Sequence, residues 1–301
     1  MGCEEFQTKV KLDYIQDFEM IFSRMKVDRP REAAAYYVIL VVDNPKEFSD
    51  FLRVAESLAN ITRRPLEAGR ASLLKNGIIA EVLFTSEEEE EKFGRESYLP
   101  VPPQVIWDDI KEDIKTVISE DTYEMIQRHI VEINKAYDEN FKTYGIKIKR
   151  NGNVTLRYSD KWMIYMMLKN CLEKKNHLYL QVGGERLLDD PFLKYLEKFV
   201  ELESKVKLIV DSKDNLDNAK KLLEKYGDKL EIKYFPEETF GTMRNYIFGK
   251  ELAINGLKIL TPKEENSEPV YVGTAYVDLE NIETLREKFE GLWKLAKPLQ
   301  K

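Results

Sequence analysis

Four cations, Arg63, Arg64, Arg70 and Lys75, fall in the segment AESLANITRRPLEAGRASLLKNGII between Ala55 and Ile79. A guanidinium group can grip a phosphate or pair two donors with a guanine edge, so the chemistry open to this cluster is recognition of nucleic acid; a solvated helix face is the other reading. The apolar residues Leu58, Ile61, Leu66, Leu73 and Ile78 supply an inner face for the same segment, which leaves the cations and Glu67 on its outer face. Thr62 is placed to cap the helix that carries them, accepting a bond from a backbone N–H that has no helical partner. Arg31 and Arg53 add phosphate contacts from neighbouring helices, and such contacts set affinity without reading sequence.

The rest of the chain offers little for bond-making chemistry. Its histidines are His129 and His177, and the latter is followed by Leu178 and Tyr179, so the C-terminal half cannot assemble a histidine pair for a metal or a nucleophile triad. His177 opens a strand, where a structural role is expected. Gly183 and Gly184, in VGGE, lack both the GxGxxG spacing and the lysine of a phosphate-binding loop. Asp211 and Asp214 lie at a strand's C-terminal end, a position where α/β domains bind ligands, without a partner that defines a reaction. Cys3 and Cys171 stand far apart in sequence, with no CxxC pair. The expectation is a protein that is not an enzyme, with no metal and no cofactor.

These groups need elements to position them. Asp28, Arg29 and Pro30 read as a break that starts a helix through REAAAYYVILVV, and Asn44 and Pro45 end it. A second helix follows, with Phe48, Phe51, Leu52, Ala55 and Leu58 at spacings of three and four. Asn60 to Thr62 form a turn, and Pro65 lies in the first turn of the third helix, where its missing donor costs least. Asn76 and Gly77 stop that helix. IIAEVLF and ESYLPV are expected to pair as a hairpin, completing a winged helix-turn-helix over roughly Asp28 to Val101. Glu87 to Glu91 fall at the tip of the wing, where DNA would repel them; either Lys92 and Arg95 compensate or the acidic tip faces solvent or a basic protein partner, and a solvated loop is the expected reading.

After Pro100, Pro102 and Pro103, a stripe of Ile106, Ile110, Ile114 and Val117 is followed by Tyr123, Ile126, Ile130, Ile133, Tyr137 and Tyr144. Asp121 and Glu124 fit a capping box for the second helix, whose narrow seam suits pairing of two copies. A connector packed on its own domain is the other reading. From Asn153, strands alternate with helices: NVTLRYS, KWMIYMMLKNCLE, HLYLQV, FLKYLEKFVELE, KVKLIV, NAKKLLEKY, LEIKYF, MRNYIF, LKIL, VYVGTAYV and a closing helix. This order predicts an α/β domain with a largely parallel sheet and an antiparallel part near Arg244 to Val277. The expected domains are residues 1–101, 102–150 and 151–301.

With 301 residues, 43% hydrophobic, the chain can fill two ordinary cores. The net charge of −7 argues against a uniformly basic coat and for a local contact surface. Between Arg29 and Ala80, eight Lys and Arg face six Asp and Glu, a local excess of two. No apolar run reaches the roughly 20 residues of a membrane span, and the charged start MGCEEFQTKVKLDY lacks a secretory core. A cytoplasmic protein is expected.

The segment NITRRPLEAGRASLLKNGII resembles the helix-turn-helix core of archaeal transcription regulators of the TrmB type. GRESYLPVPPQVI resembles that family's passage from wing to linker helix. YVGTAYVDLENIETLREKFEGLWKLAK is similar to its closing strand and helix, with Phe289, Leu292, Trp293 and Ala296 in the characteristic places. The resemblance implies a dimer on double-stranded DNA and a C-terminal half of phospholipase D-like fold that receives an effector or a transcription-machinery protein. The active pattern of that fold is HxKxxxxD; here Tyr179 follows His177, and Val131 follows His129, where lysine is required. Some members bind sugars, but no sugar site maps onto this chain. The competing readings are an adaptor that docks the transcription machinery without reading DNA, and a hydrolase, disfavoured by the shortage of histidine.

Overall fold

The computed structural model describes residues 8–83, 97–141, 153–159, 177–182, 196–197, 199–201, 205–210, 216–227, 229–235, 243–259 and 270–299. Cys3, Cys171, Glu87 to Glu91, Lys92, Arg95, Tyr144, Gly183, Gly184, Asp211, Asp214 and the segment KWMIYMMLKNCLE lie outside these residues. The chain divides into two compact units, Met1–Lys147 and Ile148–Lys301. Among the described residues no helix is long and apolar enough to cross a membrane.

The first unit is built around one helix. In order it contains α1 (Leu12–Arg24), α2 (Pro30–Val42), α3 (Phe48–Ala59), α4 (Arg63–Lys75), β1 (Ile79–Leu83), β2 (Tyr98–Pro100), α5 (Pro103–Lys115) and α6 (Glu120–Asn140). Pro30 occupies the first helical position of α2, where no N–H is needed. Every residue of α2 from Ala33 to Val42 is buried, and a helix apolar on all sides must be covered on all sides. α1, α3, α4, α6 and β2 all pack against it. Phe18 and Phe22 of α1 meet Tyr37, while Phe51 of α3 stacks on Tyr36 at 4.5 Å. The Tyr37 hydroxyl donates to the Val101 carbonyl at 2.6 Å, and the Asn140 side chain donates to the carbonyls of Val41 and Val42 at the end of α2.

Cover for α2 explains what becomes of the isoleucine stripe. Ile126, Ile130 and Ile133 are fully buried and Tyr137 is 5% exposed within a single chain, so the seam expected to pair two copies is used inside the unit. α6 also begins earlier than the Asp121 and Glu124 pattern indicated: Ser119 is its N-cap, and its hydroxyl accepts from the Thr122 N–H at 3.3 Å. The hairpin forms as expected, antiparallel, with Ile79 opposite Pro100, Ala80 opposite Leu99 and Glu81 opposite Tyr98.

The second unit carries β3 (Asn153–Ser159), β4 (Leu178–Val182), β5 (Val206–Val210), α7 (Leu216–Tyr226), β6 (Leu230–Tyr234), β7 (Met243–Phe248), β8 (Leu252–Ile259), β9 (Val270–Tyr276), α8 (Leu279–Leu295) and β10 (Lys297–Pro298). The strand order within the unit is β10-β6-β5-β4-β7-β8-β9-β3. Among the described residues only β4 with β5 and β5 with β6 run parallel; the other pairs are antiparallel. The largely parallel sheet is therefore corrected to a mostly antiparallel one. Parallel neighbours need a long crossover, which α7 supplies between β5 and β6. β7 and β8 are joined by Gly249, Lys250 and Glu251 alone, with Gly249 at φ 56°, and so short a link permits only a hairpin. β8 extends well beyond the LKIL run, and β10 has no apolar signature. On one face α8 packs Ile282, Leu285, Phe289 and Trp293 against Ile209, Ile247 and Ala253.

Candidate nucleic-acid interface

The outward face of α4 is set by what the helix buries. Leu66 and Leu73 are fully buried, Ser72 is 5% exposed, and Gly69 lies at the crossing with α2. A Cβ on Gly69 would stand 2.4 to 2.7 Å from the backbone of Glu32 and Ala33, so only glycine allows the two helices to approach this closely. Ile61 and Ile78, at 4% and 2% exposure, fix the two ends, while Leu58 is only half-buried. Thr62, Arg63, Arg64, Ala71 and Lys75 are exposed, and Glu67, Ala68 and Arg70 are half-buried.

Both ends of α4 are firmly defined. Asn60 takes the left-handed conformation, φ 53°, that turns the chain out of α3. Thr62 is the N-cap of α4, but its side chain makes no capping bond. A hydroxyl cap accepts from the N–H of the second or third helical residue; the third is Pro65, which has none, leaving only that of Arg64, to which no bond is made. At the far end, Gly77 at φ 64° directs its N–H to the Leu74 carbonyl, and the Ile78 N–H goes to Leu73. This pair of bonds closes the last turn.

The cations differ in their settings. Arg63 and Arg64 occupy the first two helical positions, and the first turn holds no acidic residue. Arg63 pairs with Glu67 at 3.0 Å and lies over the Phe48 ring at 5.4 Å. Arg70 lies over Phe48 at 5.5 Å and Tyr98 at 5.9 Å, which ties the face of α4 to α3 and β2. Lys75 pairs with Asp28 at 3.2 Å. Arg31, expected to contact phosphate, instead donates to the Ala59 carbonyl at 2.7 Å and closes the end of α3. Arg53 pairs along its own helix with Asp50 at 2.9 Å.

Sequence reasoning placed Phe48 in the apolar stripe of its helix and did not link it or Tyr98 to Arg63 and Arg70, because neither ring has a helical spacing to them. It also passed over Ala68 and Ala71, whose small side chains leave the middle of this charged helix face low.

In the second unit, the buried Gln181 and Asn245 and the half-buried Asn255 form a chain of amides across β4, β7 and β8. Asn255 donates to Asn245 at 2.6 Å, and Asn245 donates to Gln181. The register continues the row through Thr274 and Thr155. This row offers neutral hydrogen-bonding groups and contains no side chain with an ordinary acid or base pKa. A lone amide inside the apolar runs LYLQV and MRNYIF was its only trace in the sequence. His177, read as structural, has an exposed ring; it is its carbonyl that serves the sheet, accepting from the Gly249 N–H at 2.8 Å.

No protein-family model matches the chain, and no curated protein matches it. Among solved structures, it is similar to TrmBL2, described as an archaeal chromatin protein with a novel mode of DNA binding: TM-score 0.36, 18% identity, 94% of this chain and 99% of that one covered. It is also similar to Nuc, a phospholipase D family member from Salmonella typhimurium, with TM-score 0.38, 11% identity, and 50% of this chain and 99% of that one covered. NucT from Helicobacter pylori gives TM-score 0.35 and 11% identity over 48% of this chain and 99% of that one. At these low scores the site's own geometry has to carry its reading.

Proposed function

We propose that the first unit is a DNA-binding winged helix-turn-helix, with α3 and α4 as the two helices and the β1–β2 hairpin as the base of the wing, and that the chain is a transcription regulator. One observation carries this reading: Arg63 and Arg64 stand exposed at the N-terminus of α4, with no acid in that turn. The aligned peptide dipoles make a helix N-terminus positive, so cations there work against helix stability, whereas an anion there is favoured. Two arginines at that end make sense as the receiving side of a phosphate or of a guanine edge.

The remaining outward residues fit a helix lying in a major groove, which is wide enough to admit one. Ala68 and Ala71 keep the centre low enough for close approach and suit the methyl of thymine. Arg64 and Arg70 can donate to base edges, and Glu67, once released by Arg63, can accept from cytosine. Phe48 and Tyr98 hold the guanidinium planes of Arg63 and Arg70 in advance, which lowers the ordering cost on binding. We further propose that two copies act together on paired half-sites and that the second unit receives the effector or protein partner.

The test is binding of the full chain to duplex DNA from its own upstream region at low salt, where phosphate contacts are strongest, followed by fluorescence anisotropy. The wild type is expected to bind, and Arg63→Ala with Arg64→Ala to weaken binding at least tenfold. Equal binding by the double variant would refute the reading.

A further inference from the structure

We infer that the loop ahead of α2 is a second phosphate-gripping element, so that α4 is held across a DNA groove by cations at both of its ends. This rests on the DNA-binding reading of α4 but adds residues and a geometry to it. The loop carries Lys26 and Arg29, both exposed and both in the left-handed conformation, at φ 58° and 51°. Glycine adopts that conformation most readily, yet both positions hold a long cationic side chain.

The loop is fixed to the C-terminal half of α4 by bonds from several directions. The Ser72 hydroxyl donates to the Asp28 carbonyl at 2.6 Å. Lys75 reaches the Asp28 carboxylate at 3.2 Å. Val27, 4% exposed, anchors the loop from below, and its N–H bonds the Phe22 carbonyl at 2.9 Å. The backbone just beyond the loop, at Glu32 and Ala33, lies against Gly69. Lys26 and Arg29 are thereby assigned to the end of α4 that also bears Lys75, with Asp28 as the one acid among them. The two ends of the helix now match: Arg63 with Glu67 and Arg64 at one, Lys75 with Asp28, Lys26 and Arg29 at the other. In each a carboxylate holds one cation in place and leaves others to meet the ligand.

The dimensions suit one particular orientation. The 13 residues of α4 extend about 20 Å at 1.5 Å per residue, against a major groove about 12 Å wide. A helix of that length lying across the groove brings its two ends to the two phosphate walls. The N-terminal arginines then meet one strand. The C-terminus of a helix repels anions, so contact with the other strand needs cations brought from elsewhere, and the loop brings them.

The experiment uses the full chain and a duplex of about 20 base pairs, with affinity measured across a salt series. Glycine fits both left-handed positions, so Lys26→Gly with Arg29→Gly removes the charges without straining the backbone; Lys26→Asn with Arg29→Asn serves as a second version. Each phosphate contact contributes about 0.9 to the slope of log K against log salt, so either variant is expected to flatten the slope by about 1.8. Phosphate-ethylation interference should show the lost contacts on one strand, and those lost in Arg63→Ala with Arg64→Ala on the other. An unchanged slope, or loss of the same phosphates by both pairs, overturns the inference while the DNA-binding reading stands. Failure of the wild type to bind duplex DNA overturns both.

Discussion

Arg64 separates stability from recognition at a single position. If it is there to meet an anion, Arg64→Glu should stabilise the unit by about 0.3–1 kcal/mol, because a carboxylate suits the N-terminal turn of a helix, while DNA affinity falls. Paired melting and anisotropy measurements check this, and a loss in both would mean that Arg64 serves the fold. A second titratable site lies between α1 and α6. The Asp17 carboxylate, 6% exposed, bonds His129 at 2.6 Å, and the His129 ring stands edge-on to Tyr14. Burial raises the Asp17 pKa above the ordinary carboxylate value, against the opposing pull of His129. A carboxyl that holds its proton more tightly when folded contributes stability that is fully present below its unfolded pKa, roughly 3.9, and is lost as pH rises through the raised value. Asp17→Asn removes that loss. The melting temperature of the variant relative to wild type should therefore climb with pH from about 4 and level off above the raised value; a difference that falls with pH would show ionised Asp17 to be stabilising through His129. The cations were visible in the sequence as types and spacings. Their partners were not: Glu67 is four residues from Arg63, but Phe48, Tyr98, Asp28 and Ala59 reach their arginines or lysine only through the tertiary fold.

Elements were easiest to read where local chemistry decides them. Pro30 opens α2, Gly77 closes α4, and Leu66 and Leu73 of α4 are buried as their spacing indicated; in α3 the spacing holds only in part, with Phe51 and Ala55 buried and Phe48, Leu52 and Leu58 half-buried. Legibility failed where a neighbour decides. Gly69 in a helix reads as a weak helix former, yet its role is to let the backbones of α2 and α4 touch. Gly69→Ala should lower stability by about 1–3 kcal/mol through overpacking, in spite of alanine's better helix propensity, seen as a lower urea midpoint at unchanged slope. A neutral or stabilising result would mean that the helices can separate freely at that point. The direction of the second unit's sheet was misread for a similar reason: short apolar runs look alike in either direction, and only the connection, α7 or the Gly249 turn, tells them apart.

A chain of net charge −7 can grip a polyanion only where cations are concentrated, and the two ends of α4 concentrate them. The stripe on α6 was legible as apolar but not as inward, since a seam between two copies and a seam against α2 need the same spacing; the all-apolar character of α2 was the clue that it needed cover. That character has a consequence for how the protein breathes. A helix enclosed by α1, α3, α4, α6 and β2 has no exposed side from which to fray, so its amides open only when the unit unfolds as a whole. In hydrogen exchange, residues 33–42 should be the slowest of the first unit, exchanging at the rate of global unfolding, with the outer turns of α4 faster. The helix proposed to meet DNA would then be free to adjust locally while seated on the most slowly exchanging part of its unit.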